Sequence, residues 1–167
     1  VVVGAKGSPI QLILAGVFHI DTPAGNVPLA EIKTLQQNPS VAKLIPISVG
    51  DSFRGFRIVG TDHSYAAHYD AQIAQGALWT HAMQAVLGAD VATQTGMKVG
   101  DTFIGSHGLG QEGHAHGNTP YTVSGVLASC ACVLDRLILT ATESVWQVHE
   151  KAIEGDTPLD ASDKKAI

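Results

Sequence analysis

The densest group of residues that could do chemistry lies in one glycine-rich segment of the chain. Three histidines, His107, His114 and His116, fall within ten residues there, together with the carboxylate of Glu112. Imidazole nitrogens are good ligands for Zn²⁺, Cu²⁺ and Ni²⁺. His114 and His116 are two residues apart, so in an extended segment both would face one ion. The pattern predicts a transition-metal site at the three histidines, with zinc as the candidate cofactor.

The glycines of the same segment support a different interpretation. Gly108, Gly110, Gly113 and Gly117 alternate with the candidate ligands. Ordering a glycine-rich loop costs much conformational entropy, whereas structural zinc sites use rigidly spaced ligands. The alternative is therefore a solvated loop whose affinity for metals is incidental.

The two cysteines form a second candidate site because only Ala131 separates Cys130 from Cys132. The pair could be a tight disulfide, half of a metal site or two free thiols, and a disulfide ring of this size would be small. Two cysteines do not make a disulfide framework, so the fold must depend on packing.

Other residues do not form a recognisable catalytic pattern. Gly4–Ser8 contains glycine, lysine and serine but lacks the spacing of a phosphate-binding loop. Ser106 and His107 are neighbours in sequence, without the nucleophile elbow of a hydrolase. His63 and His68 are five residues apart and therefore do not share one helix face. These residues favour no enzymatic site.

The composition is that of one folded domain. The chain has 167 residues, of which 45% are hydrophobic and 15% are charged, enough for a core and unlike a disordered chain. The net charge is −5 and no basic stripe is present, so a nucleic-acid partner is not expected. The first residue is Val1 and no secretory signal follows it. We therefore expect the chain to be processed or cut from a longer protein.

Predicted strands and helices alternate without a regular βαβ rhythm, which favours a mixed α+β fold. Alternation and β-forming residues predict strands at 10–20, 41–49, 53–60, 85–88, 121–127 and 137–140. A turn is predicted at 50–52, and a turn followed by a strand at 99–105. Helical spacing and caps predict helices at 28–35, after Thr61–Asp62, at 89–95 and at 142–152. We expect a discontinuous main subdomain at 1–70 and 118–154, a smaller inserted subdomain at 71–117 and a polar tail at 155–167.

An ordered series of segments resembles the extracytoplasmic (periplasmic) core domain of MacB-like and FtsX-like ABC transporter permeases. The segments are Val2–Leu12, Phe56–Tyr65, Gln75–Trp79, Val86–Ala92, Gly96–Phe103, Tyr121–Leu127 and Asp135–Leu139. The chain departs from the family pattern at Ala77, where the family has arginine, at Cys130–Cys132 and in the histidine-rich loop.

The resemblance implies a mixed α/β domain without enzymatic activity, located between two membrane helices of a permease in the bacterial inner membrane. The permease would form a homodimer, a separate cytoplasmic ATPase subunit would hydrolyse ATP, and this domain would pass the motion to substrates, a periplasmic adaptor or a substrate-binding protein. A hydrophobic segment is then expected before Val1, and three more after Ile167.

Overall fold

The computed structural model describes residues 1–107 and 119–154. Its helices are α1 (Pro9–Gly16), α2 (Leu29–Gln36), α3 (His63–His68), α4 (Ala89–Thr95), α5 (Thr142–Glu154) and a 3₁₀ turn at Val133–Arg136. Its strands are β1 (Ser48–Phe53), β2 (Phe56–Thr61), β3 (Ile73–Gly76), β4 (Gln84–Leu87), β5 (Thr102–Phe103), β6 (Ser106–His107), β7 (Tyr121–Leu127) and β8 (Leu137–Ala141). The predicted polar tail at 155–167 lies outside the described residues.

The chain divides into two compact units, whose main parts are Val1–Ile45 and Pro46–Ala152. The first contains α1 and α2, and Ala15 and His19 are the buried residues of its described part. The second contains all the described strands and most of the buried apolar side chains. The core of the fold therefore lies in the second unit.

The strand predicted at 10–20 is wrong, because Pro9–Gly16 is helical. Pro9 stands in the first turn, where its fixed φ is already helical and its missing N–H costs nothing. A short apolar run is ambiguous by periodicity, and the leucines and Ala15 favour a helix once Pro9 starts it.

The second unit is built on one mixed sheet. Its strand order is β3-β7-β4-β8-β2-β1-β6, and β5 also pairs with β7. The pairs β2–β8 and β4–β7 are parallel, whereas β4 and β8 are antiparallel. Every residue of β2 and β8 is buried, as expected for central strands covered on both faces. The α+β fold class predicted from the sequence is confirmed.

The hairpin of β1 and β2 lies later in the chain than predicted. Gly50–Ser52 is part of β1, where the register with β2 shifts between Val49 and Ser52. The turn is instead made by Arg54 (φ 49°) and Gly55 (φ 83°), the two positive φ values that a two-residue hairpin loop requires. The glycine and aspartate that suggested a turn mark a bulge.

The strand predicted at 41–49 is wrong for most of its length, since regular structure begins only at Ser48. Pro46 has no N–H to donate to a neighbouring strand. Its carbonyl oxygen accepts a hydrogen bond of 2.7 Å from the Thr61 hydroxyl instead. This contact ties the start of the second unit to the end of β2.

Three predictions in the middle of the chain are confirmed. Helix α4 covers the predicted 89–95 and ends at Gly96, which has φ 70°. Strand β7 covers the predicted 121–127. Helix α3 begins after Asp62, whose carboxylate accepts a hydrogen bond of 2.8 Å from the Ser64 amide.

Strands from the predicted inserted part, 71–117, join the same sheet as strands from the flanking parts. Strand β4 lies between β7 and β8, and β3 lies at one end of the sheet. The sheet does not mark a boundary at residue 71, so the division into a main and an inserted subdomain remains a prediction.

A chain of polar contacts joins α5 to two central strands. The Thr140 hydroxyl oxygen lies 2.7 Å from the Gln84 carbonyl oxygen and 2.8 Å from the Ser144 hydroxyl oxygen. The Met83 amide donates to the same Ser144 oxygen at 2.9 Å. Thr140 and Ser144 are fully buried, so these contacts replace hydrogen bonds to water.

We expect Thr140→Val to lower the free energy of unfolding by about 1–3 kcal/mol, because it leaves buried partners unsatisfied at unchanged side-chain shape. Thr122→Val is the matched control, since Thr122 is exposed on β7. Urea unfolding followed by circular dichroism measures both variants. Equal effects would show that the buried hydroxyl contributes nothing beyond its shape.

Candidate functional site

Most of the predicted metal site lies outside the part of the chain that the structure describes. His107 lies in β6, where its backbone is the register partner of Asp51 in β1. His114 and His116 lie outside the described residues. Within 1–107 and 119–154, no group of three or more histidine, cysteine, aspartate or glutamate residues is arranged to hold a metal ion. The site at His107, His114 and His116 therefore remains a prediction.

Asp51 lies in a buried region that sequence reasoning missed. Asp51 is 1% exposed and Tyr121 is completely buried. The Tyr121 ring stacks on Phe103, with 5.2 Å between centroids. Burial, and secondarily the negative charge of Asp51, raise the pKa of the Tyr121 hydroxyl above its ordinary value. A single polar residue in a strand carries no sequence signal for such a position, because the bulge in β1 decides which way it faces.

Calorimetric titration with Zn²⁺ tests the metal prediction. If the histidines hold a metal, His114→Ala/His116→Ala should weaken binding at least about tenfold, because two of three imidazole ligands are lost. Asp62→Asn removes a carboxylate far along the chain from this loop and serves as a control. Equal, weak binding by the wild type and the histidine variant would leave the loop as a solvated connection.

The cysteine pair is a disulfide in the structure, one of the three alternatives left open by the sequence. Cys130 and Cys132 are bonded across the single residue Ala131. Both cysteines are half-buried and Ala131 is exposed. Ala131 has φ 52°, a left-handed conformation that residues other than glycine adopt rarely.

Asp135 organises the turn that contains the disulfide. Its carboxylate accepts hydrogen bonds of 2.9 Å from the Cys130 amide, the Ala131 amide and the Ser129 hydroxyl. The Cys130 sulfur lies 3.4 Å from one of its oxygens. Asp135 is 6% exposed, so the three donors replace its hydration. We refer to Ser129–Asp135 as the cysteine turn.

The cysteine turn is packed against the start of α4 at Gly88. A methyl group at Gly88 would lie 2.1 Å from the Leu134 carbonyl oxygen and 2.5 Å from that of Asp135. The Gly88 amide also donates to the Leu137 carbonyl oxygen at 2.9 Å. The turn, the end of β4 and the start of β8 therefore form one tightly packed junction.

Helix α5 is attached to the sheet without a connecting loop. Strand β8 ends at Ala141 and α5 begins at the next residue, Thr142. A methyl group at Gly60 in β2 would lie 2.7 Å from a methyl carbon of Val145. This close approach, with the contacts of Ser144, fixes the first turns of α5 on the sheet.

His63 serves in packing. Its Nε2 atom lies 2.8 Å from the Trp79 carbonyl oxygen, and its ring meets the buried Trp79 ring edge-on at 4.8 Å. His68 instead contacts the Tyr69 ring. The two histidines therefore have separate environments, as their spacing predicts.

No helix in the described part of the chain is long and apolar enough to cross a membrane. The longest, α5, has 13 residues.

Nearly the whole chain matches a known class of periplasmic domain. The chain belongs to the MacB-like periplasmic core domain family, whose model matches residues 2–153. The MacB-like resemblance drawn from the sequence is thereby confirmed. No curated protein matches the sequence.

Two crystal structures have a similar fold. One is the periplasmic region of MacB from Actinobacillus actinomycetemcomitans, with 18% identity and a TM-score of 0.51, over 74% of this chain and 58% of that region. The other is the extracellular domain of the noncanonic ABC-type transporter YknZ from Gram-positive bacteria, with 12% identity and a TM-score of 0.54. That match covers 88% of this chain and 75% of the YknZ domain. The chain thus spans little more than half of the MacB region.

Proposed function

We propose that the chain is the extracytoplasmic domain of an ABC transporter permease and transmits ATP-driven motion to a substrate or a partner outside the membrane. The family match over residues 2–153 carries this proposal. Under this proposal, the domain itself catalyses no reaction, and a cytoplasmic ATPase supplies the energy. The permease is a homodimer in the bacterial inner membrane, with this domain facing the periplasm and contacting an adaptor or a substrate-binding protein.

The attachment of α5 supports a role in transmission. A motion can pass from a helix to a sheet only if the two move as one body. The β8–α5 junction has no flexible residues between the elements, and Gly60 and Ser144 hold α5 against the sheet. A displacement of α5 would therefore be shared by the central strands.

The location is tested by labelling a cysteine in the full-length protein from which the chain comes. Gln94 is exposed on α4, so Gln94→Cys in a Cys130→Ser/Cys132→Ser background places one reactive thiol on the surface. We expect a membrane-impermeant maleimide to label it in spheroplasts with an intact plasma membrane. Val123→Cys, at a position that is 1% exposed, is the buried control. Labelling of Gln94→Cys only after lysis would contradict the proposed location.

The transmission is tested with spin labels at Gln94→Cys in the two copies of the full-length permease, reconstituted with its ATPase. We expect ATP to shift the label-to-label distance. Two glycines inserted between Ala141 and Thr142 should abolish the shift, because they free α5 from β8. The same insertion in the isolated chain, followed by thermal unfolding, checks that the sheet still folds. If the label-to-label distance does not change on adding ATP to the protein with the native junction, the role in transmission is overturned.

A further inference from the structure

We propose that the Cys130–Cys132 disulfide is a site of reversible thiol–disulfide exchange, and that the carboxylate of Asp135 selects against anionic thiols as reactants. The class of partner that it fits is a dithiol protein whose reactive cysteine lies in an electropositive surface. That such a partner meets the turn outside the membrane rests on the proposed function. The exchange reaction is a property of the purified chain, so it does not rest on the proposed function.

The disulfide can open without unfolding the domain. It closes a ring across one residue, so its loss frees little loop entropy. The turn lies at the surface, since Ala131 is exposed, whereas the neighbouring Leu134 is completely buried. The residues of β7 and β8 on either side remain held by their strands. Reduction should therefore change the cysteine turn alone.

The backbone of Ala131 favours opening. At φ 52° this residue occupies a region that is unfavourable for a side chain with a Cβ atom. Once the sulfur–sulfur bond is broken, the ring no longer constrains Ala131, whose amide keeps its hydrogen bond to Asp135. Disulfides under strain are of the labile kind rather than the permanent structural kind.

Asp135 places a negative charge beside the reacting sulfurs. Its oxygen lies 3.4 Å from the Cys130 sulfur. The species that attacks a disulfide is a thiolate, which is itself negative. A second negative charge on the incoming molecule is repelled further, whereas an ammonium group on it is attracted. The turn thus discriminates among thiols by charge.

The exchange takes place in two displacements at sulfur. An incoming thiolate bonds to the Cys130 sulfur, the bond between the two cysteines breaks, and its electron pair leaves on Cys132, which takes a proton from water. In the transition state of attack at Cys130, the negative charge lies on the incoming sulfur and on the Cys132 sulfur. The Cys130 sulfur beside Asp135 carries little of it. The second thiol of the partner then displaces Cys130, which is protonated. The chain gains two electrons and two protons, and the partner becomes a disulfide.

The experiment measures reduction of the folded, oxidised chain by two small thiols, cationic cysteamine and anionic 2-mercaptoethanesulfonate. Alkylation and mass spectrometry give the rate constants at low salt, under conditions where circular dichroism shows the fold intact. For each protein we take the rate constant with cysteamine divided by the rate constant with 2-mercaptoethanesulfonate. Dividing the wild-type ratio by the Asp135→Asn ratio cancels the intrinsic reactivity of the two thiols. We expect this quotient to be about 5 to 10.

Two further variants separate charge from loosening of the turn. Ser129→Ala removes one hydrogen bond to Asp135 but keeps its charge, so both thiols should accelerate equally. Glu143→Gln removes an exposed charge on α5 and should leave the ratio unchanged. A quotient near one would overturn the role of Asp135. Reduction only under conditions that unfold the domain would overturn the exchange site itself, and neither result bears on where the permease is located.

Discussion

Gly88→Ala should be among the most damaging single methyl additions in the second unit. The new carbon would lie 2.1 Å from the Leu134 carbonyl oxygen and 2.5 Å from the Asp135 carbonyl oxygen. Both neighbours are backbone atoms, so no side chain can rotate away, and the cysteine turn or the start of α4 must move. We expect a loss of at least about 3 kcal/mol in the free energy of unfolding, at the upper end for overpacked sites.

Gly96→Ala is the matched control for this prediction. Gly96 ends the same helix with φ 70°, but open space surrounds its missing side chain. An alanine at position 96 would adopt an unfavourable left-handed backbone without any steric clash. We expect this to lower the free energy of unfolding by about 1 kcal/mol. Urea unfolding followed by fluorescence of the buried Trp79 gives both values. If Gly88→Ala cost no more than Gly96→Ala, the packing at this junction would be looser than the structure shows.

Asp135→Ala should have the second largest effect. The substitution removes the acceptor of the Ser129 hydroxyl and of the Cys130 and Ala131 amides. Hydrogen bonds to a charged group contribute about 1.5–3 kcal/mol each, and three around one carboxylate do not add fully. We expect a loss of about 3 kcal/mol. The left-handed backbone of Ala131 then loses one of the contacts that hold it, and the disulfide remains.

Asp101→Ala provides the comparison for Asp135→Ala. Asp101 is an exposed aspartate whose carboxylate accepts one amide hydrogen bond, of 2.8 Å from Lys98. Its removal should cost about 1 kcal/mol or less, since water replaces the lost carboxylate. Thermal unfolding of both variants with the disulfide intact tests the difference. A similar loss in the two would mean that burial of Asp135 adds nothing to its hydrogen bonds.

The fold could be predicted best where local sequence signals agree with one another. A short apolar strand leads directly into helix α4 and a glycine ends it, and strand β7 is rich in β-forming residues, so the predicted bounds of both elements match the structure. The segment at 10–20 fails because an apolar run satisfies a strand and a helix equally, and Pro9 alone decides between them. The hairpin fails because a bulge and a turn use the same residue types.

The candidate site could be predicted only as far as its cysteines. Two cysteines one residue apart are visible in any sequence, but their carboxylate partner is not. Asp135 follows Cys132 by three residues, and the 3₁₀ turn at Val133–Arg136 brings it back onto the amides of Cys130 and Ala131. The need for glycine at position 88 could not be predicted either, since it comes from backbone atoms some 46 residues away in sequence. Long-range packing leaves no local pattern.

Strand β8 passes into α5 without an intervening residue. From Thr142 to Ala152, within the second unit, the helix has 11 residues and a length of about 16 Å. Gly60 meets Val145, and Val148 is buried in the core, so α5 is packed on the sheet over its first two turns. When α5 and the sheet rotate together by about 10° about Thr142, Ala152 moves by about 3 Å. A small rotation of this body therefore moves the far end of the helix by as much as the length of a side chain.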